Sequence, residues 1–171
     1  DSWILNELFS ARSIVDSALS ESNFSIAAEA LYDFTWNKLA DWYLEAAKVE
    51  KGKEEILVFV LKNLLIMWHP FIPYVTEAIW QSFNEGLLMV EQWPSWPEKI
   101  ERAADEPGND FKVVQETIVA IRNARSENKV EPARKLQALA FGPKSELLLA
   151  QASLIKGLRT GIESLLKTDA P

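Results

Sequence analysis

The segment from Leu64 to Phe83 constrains the fold of this chain most, because an apolar helical pattern is interrupted there by two prolines, Pro70 and Pro73. Pro70 lacks a backbone donor and disfavours the α region for the residue before it, His69. Pro73 has its φ angle preset for the first turn of the pattern that follows. The sequence therefore predicts two helices that are joined by a short, fixed corner and pack against each other in a helical bundle.

The composition predicts one globular domain, with at most a small appendage. The chain has 171 residues, 48% of them apolar, with 7 Trp and 8 Phe, which is enough to fill a sizeable core. It has no cysteine and a single histidine, so it lacks the parts of a disulfide framework, a thiol nucleophile or a cluster of imidazole ligands. We therefore expect no metal site and assign no catalytic residue.

The hydropathy pattern predicts a cytoplasmic protein without a membrane partner. No window approaches the roughly 18 uninterrupted apolar residues of a membrane span. The start of the chain, Asp1-Ser2-Trp3-Ile4, also lacks the basic entry of a signal peptide.

Charge is unevenly distributed along the chain. The formal net charge is -7, yet residues 1–111 hold 8 Lys and Arg against 19 Asp and Glu, whereas residues 112–171 hold 10 against 6. Five cations fall within fourteen residues of the second part: Arg122, Arg125, Lys129, Arg134 and Lys135. If the chain binds phosphates, we expect them nearest to this stretch.

Apolar periodicity and helix-ending residues predict a mainly α fold. The predicted helices span about residues 3–19, 25–48, 53–68, 73–84 and 110–128. The second helix has Asn23 or Ser25 as N-cap and ends near Gly52. Its apolar residues surround most of the helix, so it is expected at the centre of the bundle. Four aromatic residues are expected in the core: Trp36, Trp42, Tyr43 and Trp80.

The rest of the chain follows different patterns. Residues 87–97 contain Trp93-Pro94 and Trp96-Pro97, which exclude a regular helix, and are expected to lie across the end of the bundle. Residues 101–110 indicate an exposed acidic turn. Beyond Pro132, residues 135–141 and 162–166 are predicted strands, with a helix over 145–156 between them. We therefore expect a bundle domain over residues 1–130 and a partial small α/β subdomain over 131–171.

Several strings resemble, in order and spacing, the anticodon-binding region of bacterial valyl-tRNA synthetases, which are class I aminoacyl-tRNA synthetases. They are Ser25 to Trp36, Asp41 to Lys48, the His69-Pro70-Phe71 corner with Thr76, Glu77 and Trp80, Trp93-Pro94, and Ile121 to Glu127. The proline corner alone would fit the isoleucine, leucine and related enzymes. The Asp41 to Glu45 string, together with the paired arginines, favours the valine enzyme.

The resemblance implies a helical bundle of the class I anticodon-binding type. It also implies a part of an ATP-dependent ligase, requiring ATP with Mg, that charges tRNA(Val). In such enzymes the nucleotide-binding signatures lie in an upstream catalytic domain, so this chain is expected to hold no cofactor. Its expected partners are the anticodon arm of tRNA(Val) and that upstream domain. The chain begins and ends like an excised fragment that lacks the C-terminal coiled coil, so we expect reduced affinity for tRNA.

The candidate RNA-binding residues combine the basic stretch with the positions that match the family. They are Arg122, Arg125, Lys129, Lys38, Leu39, Trp42 and Lys48. The first three share one helical face at spacings of three and four. Lys38-Leu39-Ala40 stands where the family often has an acidic, an aromatic and a cysteine residue, so Leu39 would offer an apolar surface without ring stacking.

Other interpretations remain open for these residues. The arginines also fit a solvated face that is bridged to Glu127, Lys48 fits an ordinary surface charge, and His69 fits a corner residue bonded to the backbone. Three classes of function are compatible with the sequence. They are the anticodon module of a valine-tRNA ligase, the same module of an isoleucine- or related tRNA ligase, and a helical scaffold that binds protein.

Overall fold

The computed structural model describes residues 1–96 and 109–168, which form the predicted mainly α fold with a small α/β part. Its elements are α1 Ser2–Ser20, α2 Phe24–Asp33, a π-helical segment Phe34–Tyr43, α3 Leu44–Val49, α4 Glu54–Trp68, α5 Pro73–Trp80, a 3-10 turn Leu88–Val90, α6 Asn109–Glu127, β1 Leu136–Ala140, α7 Ser145–Ala150, α8 Ala152–Gly157 and β2 Ile162–Lys167. Most of the acidic turn expected over residues 101–110, and Pro97 at the end of the aromatic segment, lie outside the described residues.

The chain divides into two compact units. The helical unit comprises Asp1–Leu44 and Gly52–Glu106, and the α/β unit comprises Glu45–Lys51 and Pro107–Pro171. Helix α6 thus belongs to the same compact unit as the two strands. The domain boundary expected at residue 130 stays a prediction about the family's domains.

The helical unit is built on the buried face of α1. Its buried residues recur at the helical spacing of three and four, and they are Ile4, Leu8, Ala11, Val15 and Ala18. This face packs against α2 and the π-helical segment. Asn23 precedes α2 as predicted, although its side chain makes no capping hydrogen bond among the described residues.

The π-helical segment arises where the apolar spacing widens. Phe34 and Leu39 are both buried and stand five residues apart, whereas an α-helix would turn the polar Asn37 or Lys38 to the core. The i→i+5 hydrogen bonding of a π-helix accommodates a five-residue step. The segment therefore keeps the apolar side chains in one buried seam.

The aromatic residues of the helical unit differ in burial. Tyr43 and Trp80 are buried as predicted, and Trp42 is half-buried. The prediction is wrong for Trp36, whose side chain is 53% exposed. Trp36 follows the buried Phe34 by two residues, and a two-residue step turns a side chain to nearly the opposite face of a helix.

The predicted corner is present, but the helical conformation ends later than Pro70 predicts. His69 adopts φ -56° and ψ -40°, so the expectation that Pro70 moves it out of the α region is wrong. Its N–H donates to the carbonyl of Ile66, and its Nδ1 lies 2.9 Å from Oγ1 of Thr76. These two bonds hold His69 in the helical conformation. His69 is thus bonded to the backbone, as expected, and its ring has a hydroxyl partner. The chain turns at Ile72, with φ -136° and ψ 60°.

Helices α4 and α5 pack against each other, as the short link required. Trp80 of α5 forms a buried cluster with Leu65 of α4 and with Leu88. The carboxylate of Glu77 accepts a hydrogen bond from the N–H of Leu88, with both oxygens at 3.1 Å. Helix α5 thereby fixes the chain that follows it.

The Trp-Pro segment is non-helical, as predicted, but it does not lie at the end of the bundle. The indole N–H of Trp93 donates to Asp16 of α1 at 2.7 Å, and that of Trp96 donates to Asn63 of α4 at 3.1 Å. The Trp96 ring also lies 4.4 Å from the Phe9 ring. The segment therefore crosses the sides of α1 and α4, because its rings and indole donors find partners along these helices.

The α/β unit contains the predicted pair of strands, which run parallel. The connection between them contains two short helices in place of the single predicted helix, because Gln151 leaves the helical conformation with φ -101° and ψ 19°. The unit's core includes Val114 and Ile118 of α6 with Leu154 and Ile155 of α8. Among the residues that the structure describes, no helix is long and apolar enough to cross a membrane.

Candidate nucleic-acid interface

An open basic pocket of about 460 Å³ lies within the α/β unit. Five cationic side chains line it, and the described lining residues include no carboxylate: the cations are Arg122, Arg125, Lys135, Lys156 and Arg159. A concentration of positive charge in a concave surface attracts anions and raises their local concentration. The pocket is therefore the strongest candidate for a phosphate contact in the part of the chain that the structure describes.

Arg122 ties α6 to the end of α8. Its Nε and Nη2 atoms both donate to the backbone carbonyl of Leu158, at 3.2 and 2.5 Å. A guanidinium suits this role because its planar donors converge on one acceptor. The residue thus fixes the chain immediately before Arg159.

Arg125 bonds the chain that leads into β1. Its Nη2 atom donates to the carbonyls of Glu131 at 2.9 Å and Arg134 at 3.0 Å. The guanidinium lies against Gly161, where a Cβ atom would approach its Cζ to 2.8 Å. No ion pair joins Arg125 to Glu127 in the described chain, so the bridged-face interpretation is wrong, because the guanidinium is used on backbone carbonyls.

Lys129 does not share a helical face with the two arginines, so that part of the prediction is wrong. Helix α6 ends at Glu127, and Lys129 takes a left-handed conformation with φ 51°. The N–H of the next residue, Val130, donates back to the carbonyl of Arg125 at 2.9 Å, which closes the helix end. Lys129 is exposed and does not line the pocket.

Three cations of the pocket remain exposed and make no hydrogen bond or ion pair with any described residue: Lys135, Lys156 and Arg159. Sequence reasoning placed Lys135 in the basic stretch but missed the other two, because they follow the stretch by more than twenty positions. The parallel crossover brings them back beside α6. A signal was available, since Gly157 and Gly161 bracket Arg159 between the predicted helix and the second predicted strand.

One carboxylate lies near the pocket. A hydrogen bond from Lys48 lowers the pKa of Glu45, and the charges of Arg159 and Arg122 lower that pKa further. Lys48 is thus the direct ion-pair partner of Glu45. The positive electrostatic field of the pocket therefore reaches Glu45. The Glu45 carboxylate competes with any bound anion for the cations of the pocket.

The helical unit presents a different surface. Tyr32 and Trp36 are 57% and 53% exposed, and their ring centroids lie 6.2 Å apart with a tilt of 54°. Exposed rings on a helix can stack with unpaired bases. Tyr32 and Trp36 are therefore candidates for contacts with bases.

The other candidates of the helical unit are more constrained. Lys38 lies 3.5 Å from the carboxylate of Glu7, so its charge is partly neutralised. Trp42 is half-buried. Leu39 is only 7% exposed, so the expectation that it offers an apolar surface to a base is wrong, because it fills the buried seam of the π-helical segment.

Comparison with known proteins agrees with this architecture. Residues 1–140 match the family described as the anticodon-binding domain of tRNA ligase. The chain belongs to this family, and the resemblance seen in its motifs is confirmed.

A particular relative is similar to most of the chain. The valine-tRNA ligase of Pseudothermotoga lettingae is 32% identical over 150 residues, which cover 83% of this chain and 17% of that protein. The chain thus matches a short part of a much longer relative.

Proposed function

We propose that this chain recognises the anticodon stem and loop of tRNA(Val) as part of a valine-tRNA ligase. The observation that carries the proposal is the joint match to the anticodon-binding family and to a valine-tRNA ligase. In this proposal the catalytic domain of the same enzyme is the second partner, and the site of action is the cytoplasm, where tRNA is charged.

The two surfaces of the chain have different roles in the proposal. Contacts to phosphates position a nucleic acid, whereas contacts to bases distinguish sequences. The basic pocket supplies phosphate contacts in the α/β unit, and the charge of Arg122 adds to its positive field. Tyr32 and Trp36 supply ring faces for unpaired anticodon bases, as exposed aromatics do in other single-stranded RNA sites.

The remaining candidates take peripheral roles in this account. Lys129 and Lys48 are exposed cations that add to the positive field, although Lys48 is paired with Glu45. Lys38 would have to exchange its contact with Glu7 for a phosphate. Trp42 presents only part of its ring. We expect each of these four to contribute less to RNA affinity than Trp36.

ATP with Mg belongs to the proposed full-length enzyme, and this chain's residues do not fit them. The sequence contains no Gly-rich phosphate loop of the nucleotide-binding kind. Within residues 1–96 and 109–168, no group of three or more His, Asp or Glu residues is arranged to hold a metal ion. We therefore assign no chemical step to this chain.

Fluorescence anisotropy with labelled anticodon stem-loops tests the proposal. The full chain is titrated with stem-loops that carry the valine or the isoleucine anticodon, at several salt concentrations. We expect tighter binding of the valine stem-loop and a steep loss of affinity as salt rises, because binding to phosphates releases counterions. Preference for the isoleucine stem-loop would favour the related ligase. The absence of RNA binding at low salt would overturn the proposal and favour a protein-binding scaffold.

A further inference from the structure

We propose that the turn from Lys156 to Gly161 is a phosphate-binding turn that contacts the RNA backbone. Lys156 and Arg159 supply the binding groups from this turn, and Lys135 supplies a third from the neighbouring chain, where the N–H of Leu136 donates to the carbonyl of Gly161. This inference rests on the proposed function and assigns the phosphate contacts to residues outside the family motifs.

The binding groups are the cations that the fold leaves unused. Lys135, Lys156 and Arg159 line the same pocket, are exposed, and make no hydrogen bond or ion pair with the described residues. Arg122 and Arg125 line it too, but their guanidinium groups already donate to backbone carbonyls. A phosphate can therefore bind the first three side chains without breaking a contact of the folded chain.

The turn holds Arg159 in a conformation that L-residues rarely adopt. Its φ is 57°, in the left-handed region, which costs conformational energy and persists only where surrounding contacts impose it. The buried hydroxyl of Thr160 imposes it by donating to the carbonyl of Ile155 at 2.5 Å and accepting from the N–H of Ile162 at 3.2 Å. The base of the Arg159 side chain is therefore positioned before any ligand arrives.

The two arginines of α6 act as positioning residues for the neighbouring cations. Arg122 bonds the carbonyl of Leu158, which immediately precedes Arg159. Arg125 bonds the carbonyl of Arg134, which immediately precedes Lys135. Each arginine thus fixes the backbone next to an unpaired cation, and both arginines belong to α6.

The form of the pocket favours a phosphate in a polymer backbone. Its cations are exposed and the pocket is open, whereas a site for a small anion encloses its ligand with buried donors. Exposed Lys and Arg side chains that neutralise successive phosphates are the usual source of affinity for nucleic acid. The nearby Glu45 would weaken, without abolishing, such an electrostatic site.

Salt-dependent binding of a tRNA(Val) transcript tests the assignment. The double variant Lys156→Ala/Arg159→Ala removes two pocket charges from the full chain. The matched control Lys112→Ala/Lys144→Ala removes two exposed charges of the same unit outside the pocket. Each lost phosphate contact should lower the slope of log affinity against log salt by about 0.9. We therefore expect a slope smaller by nearly two for the pocket variant and an unchanged slope for the control.

A tethered cleavage reagent shows directly which RNA nucleotides lie near the turn. The chain has no cysteine, so Lys156→Cys introduces a single attachment point for an iron chelate that cleaves nearby RNA backbone. We expect cuts confined to a few adjacent nucleotides. The control Lys144→Cys should give no such cuts, because that position lies outside the pocket.

The outcomes separate this inference from the proposed function. Equal affinity and slope for the pocket variant and the wild-type chain, with tRNA still bound, would overturn the phosphate-binding turn alone. Binding of inorganic phosphate that the pocket variant loses, with an unchanged RNA slope, would assign the pocket to a small anion and also overturn it. A wild-type chain that binds no tRNA would overturn both.

Discussion

Arg122 donates two hydrogen bonds to the backbone carbonyl of Leu158, which lies 36 positions later in the chain. The contact joins the helix that carries the family motif to the turn that carries two unpaired cations. Arg122 therefore contributes to the pocket both through its charge and by holding the chain next to Arg159. Arg125 likewise holds the chain next to Lys135, through the carbonyl of Arg134.

Replacing Arg125 should destabilise the α/β unit. Arg125→Ala removes two hydrogen bonds to the carbonyls of Glu131 and Arg134, and a loss of about 1 to 3 kcal/mol in the free energy of unfolding is expected. Arg125→Lys should also destabilise the protein, because an ammonium group does not reproduce the planar donors. Urea unfolding measures both variants. Unchanged unfolding midpoints would show that these hydrogen bonds do not stabilise the α/β unit.

The contact between Gly161 and Arg125 predicts a difference between two glycines. Gly161 and Gly142 both have positive φ angles, of 69° and 91°, so alanine should cost roughly 1 to 2 kcal/mol at either position. At Gly161 the new Cβ would also meet the Arg125 guanidinium, whereas nothing lies within 4 Å at Gly142. Gly161→Ala should therefore lower the unfolding midpoint more than Gly142→Ala. Equal midpoints would contradict the close packing.

The exposure of Trp36 predicts an effect on RNA binding without an effect on stability. Trp36→Ala should change the free energy of unfolding by no more than about 0.5 kcal/mol. Affinity for the valine stem-loop should fall by roughly 1 to 3 kcal/mol if the ring stacks on a base. Trp80→Ala is the buried control and should cost roughly 3 to 5 kcal/mol of stability. Unchanged RNA affinity of a folded Trp36→Ala variant would exclude the stacking role.

The lowered pKa of Glu45 makes the stability of the folded chain depend on pH. Because Lys48 and the nearby arginines lower its pKa in the folded state, its contribution to stability is present above its unfolded pKa and is lost as pH falls through the folded pKa. Glu45→Gln should abolish this pH dependence and, at neutral pH, tighten RNA binding by removing a competing charge. Titrations of the wild-type chain and the Glu45→Gln variant with RNA at pH 7 test the predicted gain in affinity. Weaker binding by the variant would show that Glu45 supports the pocket.

The sequence predicted the elements that depend on local patterns. Apolar periodicity identified the helices, the two prolines identified the corner, and the short segments beyond Pro132 were predicted as strands. The exposed position of Trp36 was missed because apolar residues around most of the helix led us to expect burial on every face. The two-residue step from Phe34 to Trp36 was the available signal, because it places the two rings on nearly opposite faces.

The site was predicted less completely because it depends on long-range contacts. Arg122, Arg125 and Lys135 of the basic stretch line the pocket, and their role in RNA binding stays a prediction. Periodicity does not reveal that a guanidinium bonds backbone carbonyls, nor that Lys129 leaves the helix in a left-handed turn. Arg159 joins the pocket through a parallel crossover, which sequence spacing alone does not locate.

The central claim is that this chain reads the valine anticodon. The most direct measurement compares its dissociation constants for two full-length tRNA(Val) transcripts that are identical except for the anticodon. We predict that the transcript with the valine anticodon binds about tenfold more tightly or better, which corresponds to about 1.4 kcal/mol, with the same salt slope for both because their phosphate contacts are shared. Equal dissociation constants for the two transcripts would contradict anticodon recognition.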